Sequence, residues 1–459
     1  MGCADSFEEG LIKNDTGMTI KFTEEESQFL EKAYQDRTVS LQEALHESSV
    51  FSLGKDMTRS NDGEARIDYL VKGELSWLPD SIADVLPDTL AYIITTTTGR
   101  STIVSADRRV TPNVIGQMGV DELYPDDYDE PANNTRDFIL DKIACYFYSQ
   151  IVEFEVKKDS IQQEILAKIN TGDGTRARVP DEGSIFDYDI EIQYTDESPW
   201  DTVVIVNPML PVSWHQDYPY NYIVRNYWGC ESAPTGCGPT AIAQIMAFWK
   251  YPSTISAWNQ NWSFDWDLMT STPTVDENNY SQMIDVAMLM SVIGENAGTT
   301  YGCENSSTSP TALMNWLFSI GYQGTLNSYS KEKVINSLNN GCPVFIYGYS
   351  LNPNGKHGWV IDGYGYLRRS KHAWIITTNL QTHERTIQDG GIVYETVYYM
   401  NNCWGMKNIY SFHVDSWLPA GCFDCYYNTT FSASNEDMHV LFSYDQNVKI
   451  YTNIRPTNQ

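Results

Sequence analysis

The sequence predicts an α+β fold built from a smaller N-terminal part and a larger C-terminal part. The chain has 459 residues, more than a single domain usually holds. Apolar residues recur at helical spacing after position 238, whereas alternating apolar residues elsewhere are typical of strands. Glycine and charged residues are concentrated in residues 170–183. We therefore predict a linker at residues 171–200, exposed enough for a protease to cut, followed by a domain at residues 201–459.

The N-terminal part divides into a polar, acidic leader at residues 1–30 and an α+β domain at residues 31–170. Two apolar runs with many threonines, residues 89–98 and 101–105, lie on either side of a glycine turn and predict a β-hairpin. Apolar side chains at helical spacing predict a long amphipathic helix over residues 134–157.

The charge of the chain excludes several classes of partner. The formal net charge is -30 at pH 7, and the isoelectric point is about 4.4. Nucleic acids and anionic membrane surfaces carry the same sign of charge, so we expect neither as a partner. The sequence holds no run of 18 apolar residues, so we predict no transmembrane segment.

The nine cysteines are scattered and do not resemble a disulfide scaffold. Cys422 and Cys425 form a C-x-x-C pair, but a second pair at zinc-finger spacing is missing, so we predict no metal site. Cys3 precedes small and acidic residues, which is typical of the acylated cysteine of a bacterial lipoprotein. We therefore expect a lipid anchor at Cys3. The alternative is that cloning produced this N-terminus and that Cys3 carries no lipid.

Cys237 is the best candidate for a nucleophile. It stands between two glycines, two residues before Pro239, a residue suited to the first turn of a helix. The helix start offers unpaired N–H groups and the positive end of the helix dipole. Both favour a thiolate, so we expect a pKa below the ordinary value of about 8.5. The alternative is a small buried cysteine. The apolar face of this helix is formed by Ala241, Ile242, Ile245, Met246 and Trp249.

A nucleophilic cysteine needs a base, and His357 is the best placed of the seven histidines. It follows a turn of small residues and leads into the apolar run Trp359-Val-Ile361, so we expect it at the start of a buried strand. A base held on a rigid strand end, with glycine beside it, leaves room for a substrate. A histidine in this position can also be purely structural.

Three further residues complete the candidate site. An amide oxygen of Asn402 could accept the ring N–H of the histidine and hold the imidazole in one tautomer, and Trp404 could shield that bond from water. Asn401 is the alternative to Asn402. The side chain of Gln216 could donate to a reaction oxyanion together with the backbone N–H of Cys237.

With these residues in place, the chain resembles the streptopain-type (C10 family) cysteine peptidases of the wider papain-like group. The resemblance covers residues 200–459 with good specificity and extends more weakly into the N-terminal part. The segments that carry it are Trp214–Asn221, Gly236–Met246, Phe264–Met269, Gly341–Val344, His357–Gly363 and Asn453–Pro456, with Ala91–Ile94 and Thr102–Arg109 matching the propeptide.

The resemblance implies a papain-like catalytic domain whose helical subdomain carries the cysteine helix and whose antiparallel β-sheet subdomain carries the histidine. It also implies that Cys237 is the nucleophile, His357 the base and Gln216 the oxyanion donor. Residues 31–170 would be an inhibitory prodomain, an intramolecular partner removed by cleavage in the linker. A protein or peptide would be the substrate, no cofactor would be needed, and the protein would be secreted or a lipoprotein on a bacterial cell surface.

The sequence departs from the family pattern after Asn402. Members usually carry Asn-Trp-Gly-Trp-Gly-Gly there, whereas this chain has Asn402-Cys-Trp-Gly-Met-Lys407. The spacing instead fits the Asn-Ser-Trp-Gly of papain-like enzymes, which favours Asn402 and Trp404. Two other classes remain open: an amidase or transglutaminase-like enzyme with the same Cys, His and Asn, and a non-catalytic binding protein on a protease-like fold.

Overall fold

The fold was analysed in a computed structural model. It describes residues 10–13, 19–22, 37–50, 65–72, 86–96, 100–110, 113–119, 150–151, 160–161, 164, 188–195, 198, 201–224, 233–303, 305–349, 356–383, 385–403, 416–420 and 446–458. The predicted helix at 134–157 lies outside these residues except for 150–151. The leader and the linker are described only in short pieces, so the predicted domain boundaries stay predictions.

Among the residues that the structure describes, the N-terminal part contains a helix, a separate pair of antiparallel strands and four strands of a larger sheet. Glu43 accepts a hydrogen bond from the backbone N–H of Ser40 before the helix, which caps the helix start. The predicted hairpin is confirmed as two paired antiparallel strands, Thr89–Thr95 and Arg100–Ser105. The elements are β1 (Gly10–Lys13), β2 (Thr19–Phe22), α1 (Leu41–Val50), β3 (Arg66–Val71), β4 (Thr89–Thr95), β5 (Arg100–Ser105) and β6 (Val114–Gly119).

The C-terminal part begins with two strands and continues with a group of helices. Side-chain caps at Asp265, Asn279, Ser309 and Ser330 accept backbone N–H groups at four of the helix starts. None of the described helices is long and apolar enough to cross a membrane. The elements are β7 (Tyr188–Thr195), β8 (Asp201–Val206), α2 (Cys237–Trp249), β9 (Thr254–Ala257), β10 (Gln260–Ser263), α3 (Trp266–Met269), α4 (Tyr280–Asn296), α5 (Pro310–Ser319), β11 (Tyr322–Ser328) and α6 (Lys331–Asn339).

The remaining chain forms the centre of a large antiparallel sheet. Its strands are β12 (Val344–Tyr349), β13 (Lys356–Asn379), β14 (Arg385–Cys403), β15 (Ser416–Pro419) and β16 (Gln446–Pro456). The order is β11-β16-β12-β13-β14-β15-β6-β5-β4-β3, and both β7 and β8 pair with β13. β15 meets β6 through the single pair Trp417 and Gln117. Strands of the N-terminal part thereby extend the sheet of the C-terminal part.

Two apolar clusters lie on opposite faces of the central strands. Val360 and Phe345 pack with α2, α4 and α5 in the first cluster. Trp359 and Ile361, the alternate residues of β13, pack in the second with Leu90 and other residues of the N-terminal part. The C-terminal sheet is therefore packed between the helices and the N-terminal part. The predicted α+β fold, with the cysteine on a helix and the histidine on an antiparallel sheet, is confirmed.

Candidate active site

Gly236 and Pro239 set the start of α2 at Cys237. Gly236 has a φ of 94°, which favours glycine, and a Cβ built there would lie 3.3 Å from the carbonyl oxygen of Ser306. Pro239 falls in the first turn, where it gives up no hydrogen bond. The hydroxyl of Thr240 donates to the Gly236 carbonyl oxygen at 3.0 Å. Cys237 is therefore held as the first residue of a helix that is otherwise largely buried.

The Cys237 sulfur connects α2 to β13. Cys237 as a residue is partly exposed, although its thiol is buried, and it is not in a disulfide. The backbone N–H groups of Gly358 and Gly238 donate to it, and the positive charge of Lys356 acts on it. These contacts lower the pKa of the thiol, but burial acts more strongly and raises it above the ordinary value. The expectation of a lowered pKa is therefore wrong for this structure, because loss of water outweighs the helix start.

His357 lies at the beginning of β13, as predicted, opposite Gly348 of β12. It is buried, and its ring stacks on that of Trp359 with 5.7 Å between ring centroids and 13° between ring planes. Trp359 is itself part of the cluster shared with the N-terminal part. The predicted base is thus packed against a side chain that the N-terminal part covers.

Cys237 and His357 line the same cavity, whose empty space is about 420 Å³ when the solvent at its mouth is included. One wall comes from the start of α2 and from the loop before α5, and the other comes from β12 and β13. The structure therefore brings the two predicted catalytic residues to one cleft. The lining residues are Cys237, Gly238, Ser306, Ser307, Thr308, Pro310, Leu313, Phe345, Tyr347, Gly348, Tyr349, Lys356, His357 and Gly358.

Asn402 is buried on β14, opposite Ile361. Its side-chain oxygen accepts a 3.0 Å hydrogen bond from the indole nitrogen of Trp359, and its amide donates to the Met400 carbonyl oxygen at 3.1 Å. The neighbouring Asn401 donates to Asp362 at 2.8 Å instead. Asn402 therefore lies beside Trp359, the residue that stacks on His357.

A backbone hydrogen bond joins Gln216 to the segment just before the nucleophile. Its carbonyl oxygen accepts the N–H of Thr235 at 2.8 Å, two residues before Cys237. That its side chain donates to an oxyanion stays a prediction. Trp404 and the pair Cys422 and Cys425 lie outside the described residues.

Among the residues that the structure describes, no group of three or more His, Cys, Asp and Glu side chains is arranged to hold an ion. The thiol, the imidazole and the backbone N–H groups are suited to nucleophilic acyl transfer, which needs no metal.

Three residues of the site were not identified from the sequence. Gly358 donates its N–H to the sulfur, and a Cβ there would lie 3.0 Å from the Phe345 ring. Lys356 lines the cavity, and Trp359 stacks on His357. Their closeness to His357 in the sequence could have indicated them. Side chains alternate between the two faces of a strand, so Lys356 and Gly358 lie on one face and His357 and Trp359 on the other.

A thiol at a helix start and a histidine on a strand across one cleft are typical of cysteine-dependent acyl-transfer enzymes. Residues 214–405 match the model of the peptidase C10 family. The resemblance predicted from the sequence is therefore confirmed over the range that contains Cys237, His357 and Asn402. The match supports a cysteine peptidase.

The chain is also similar to two solved structures from Prevotella intermedia. A fragment of prointerpain A is 16% identical, with a TM-score of 0.44, and the match covers 85% of this chain and 98% of that one. Active wild-type interpain A cysteine protease is 18% identical, with a TM-score of 0.35, and the match covers 54% of this chain and 94% of that one. No curated protein sequence matches the chain.

Proposed function

We propose that this protein is a cysteine endopeptidase made as a zymogen, in which Cys237 is the nucleophile and His357 the base. The observation that carries the proposal is the shared cavity, because Cys237 and His357 both line it. Gln216 is the proposed oxyanion donor, and Asn402 with Trp404 would support the imidazole.

The reaction follows from these roles. His357 takes the proton of the Cys237 thiol, and the sulfur bonds to the peptide carbonyl carbon, whose oxygen becomes an oxyanion. Backbone N–H at the helix start and the Gln216 amide stabilise that charge. The imidazolium gives its proton to the leaving amine as the C–N bond breaks. Water activated by His357 then hydrolyses the thioester and releases the acid product.

The proposal of a zymogen is supported by the packing of the N-terminal part. Leu90 and Ile93 pack in one cluster with Trp359, on which His357 stacks. The hydroxyl of Tyr399, on β14, donates to the Val114 carbonyl oxygen of β6 at 2.9 Å. The raised thiol pKa fits a nucleophile that is not yet activated. Cleavage within residues 171–200 would release this inhibitory domain, the protein's own intramolecular partner.

A location outside the cytoplasm is part of the proposal. Cys303 takes part in a disulfide bond, close to the Ser306–Thr308 wall of the cavity. Disulfides persist in oxidising compartments, which supports a secreted or cell-surface protein. The lipid anchor at Cys3 stays a proposal.

The deciding experiment compares the full chain with its Cys237→Ala variant under a thiol reductant. We expect the native chain to lose its N-terminal part by cleavage within residues 171–200 and then to react with an epoxide inhibitor of the E-64 type. Cys237→Ala should do neither alone, but added mature enzyme should cleave it. If the native chain is neither processed nor labelled, and no peptide is hydrolysed, the proposal is wrong. Hydrolysis or amide exchange at glutamine side chains alone would favour an amidase or transglutaminase-like enzyme.

A further inference from the structure

The cavity beside Cys237 combines an apolar floor with one positive charge. Leu313 and Phe345 are fully buried beneath it, and Pro310 and Tyr347 contribute further apolar surface. Lys356 lies at its exposed edge. Lys356 is the only lysine or arginine among the described residues that line the cavity, and none of those residues is a carboxylate.

The position of Lys356 follows from the strand geometry. Lys356 is opposite Tyr349, and Gly358 is opposite Tyr347, so the two residues share the face of β13 that looks toward α2. Gly358 donates to the Cys237 sulfur from this face, and the charge of Lys356 acts on the same sulfur. The ammonium group therefore lies within electrostatic range of the bond that would be cut.

Lys356 has no salt-bridge partner among the residues that the structure describes. The ion pairs found among the described residues join other side chains, such as Lys250 with Asp267 and Lys72 with Asp88. An ammonium group beside an apolar floor can gain an ion pair from a ligand that brings a methylene stem and a terminal carboxylate.

We propose that Lys356 is a specificity-determining residue that selects peptides with an acidic side chain, glutamate above all, next to the scissile bond. The inference rests on the proposed peptidase function and adds a substrate class to it. The stem of the glutamate packs on the apolar surface of Pro310 and Tyr347, and its carboxylate pairs with the Lys356 ammonium. The chain is acidic overall, so the local charge of Lys356, and not the net charge, favours an acidic side chain at this place.

The test uses the processed enzyme and peptide pairs that differ only by glutamate or glutamine, placed one position at a time on both sides of the cut. For one position we expect kcat/KM to be about fivefold higher with glutamate, the upper range for a partly exposed ion pair. Lys356→Met should bring this ratio to about one, Lys356→Glu should invert it, and Lys356→Arg should retain it. Lys333→Met, a change of an exposed lysine on α6, is the matched control and should leave the ratio unchanged.

A second measurement needs no peptide hydrolysis. Alkylation of Cys237 in the full chain is followed by mass spectrometry with iodoacetate, an anion, and iodoacetamide, its neutral counterpart. We take the ratio of the iodoacetate rate to the iodoacetamide rate, because a change in the thiol pKa alters both rates equally. We expect this ratio to fall about threefold in Lys356→Met, because the anion loses the attraction of the ammonium group. Peptide cleavage with equal glutamate preference in wild type and Lys356→Met would overturn this inference alone, as would an unchanged reagent ratio. Absence of all peptide cleavage by wild type would overturn the proposed function instead.

Discussion

The indole nitrogen of Trp359 donates a 3.0 Å hydrogen bond to the side-chain oxygen of Asn402. The bond joins β13 to β14 in the buried interior, next to the ring stack between Trp359 and His357. Asn402 therefore fixes the surface on which the imidazole rests, and in this structure it acts on His357 through Trp359. It is a positioning residue in this arrangement.

Trp359→Phe tests that arrangement, because it keeps an aromatic ring for the stack but removes the N–H. The Asn402 oxygen is left without this buried donor, so we expect the free energy of unfolding to fall by about 1–3 kcal/mol, measured in urea. We also expect kcat of the processed enzyme to fall about tenfold while KM changes little, because the imidazole is less well placed.

Trp374→Phe is the matched control for that variant. Trp374 also donates its indole N–H, to Thr195 Oγ1 at 3.0 Å, but in an exposed setting on the long hairpin. Its loss should change the free energy of unfolding by less than about 0.5 kcal/mol. Equal losses in the two variants, with kcat unaffected by Trp359→Phe, would contradict the role given to this bond.

Gly236→Ala should disturb the helix start that holds the nucleophile. The backbone φ of 94° strains an alanine, and its Cβ would lie 3.3 Å from the Ser306 carbonyl oxygen. We expect a loss of about 1–3 kcal/mol in the free energy of unfolding and a changed alkylation rate of Cys237. Gly298→Ala is the control, since its φ is 68° but nothing lies within 4 Å of the added carbon. A loss no larger than that of Gly298→Ala would show that the Ser306 contact is unimportant.

The alkylation of Cys237 by iodoacetamide should depend on pH in a way that reports its burial. Only the thiolate reacts, so the rate rises as pH passes the thiol pKa. Burial raises the pKa of Cys237, so the midpoint in the full chain should lie above the ordinary value of about 8.5. Removal of the N-terminal part should move the midpoint down if the freed imidazole pairs with the thiolate. A full-chain midpoint well below 8.5 would contradict the structure.

Asp107→Asn should weaken the N-terminal part specifically. Asp107 and Arg109 are both buried and form an ion pair with a shortest contact of 2.7 Å. Removing one charge leaves the other without this partner in a dry setting, which costs about 3–5 kcal/mol. We expect a lower free energy of unfolding and faster processing of the full chain under reductant.

Asp68→Asn is the control for that change, because Asp68 pairs with the exposed Arg66 at 2.9 Å. It should alter the free energy of unfolding by less than about 1 kcal/mol and leave the processing rate unchanged. If Asp107→Asn weakens the N-terminal part without any effect on processing, the inhibitory role proposed for this part is not supported.

Much of the site could be predicted because its residues are fixed by local rules. The helix at Cys237 follows from Gly236, Pro239 and the apolar spacing, and the strand after His357 follows from a short apolar run. The hairpin of β4 and β5 follows from the same kind of pattern. In each case, neighbours in sequence supply the interactions that decide the structure.

The remaining features depend on residues that are distant in sequence. Burial by residues distant in sequence raises the pKa of Cys237 more than the N–H groups of Gly358 and Gly238 lower it, so the helix start alone predicted the wrong direction. The donor to the Asn402 oxygen is Trp359, 43 positions earlier in the chain, and only the packing of β13 on β14 brings the two side chains together. The residue types were therefore predictable, whereas their pairing was not.

The strand that begins with Lys356 and His357 continues for 24 residues, and its far half pairs with β7 from His372 to Asn379. β7 begins at Tyr188, within the predicted linker. A cut upstream of Tyr188 would therefore create a new chain terminus that is already hydrogen-bonded to the strand carrying the proposed base. In the mature enzyme, β7 would stay paired with this edge of β13. Release of the N-terminal part would then not expose the backbone N–H and C=O groups of this edge to pairing with another molecule.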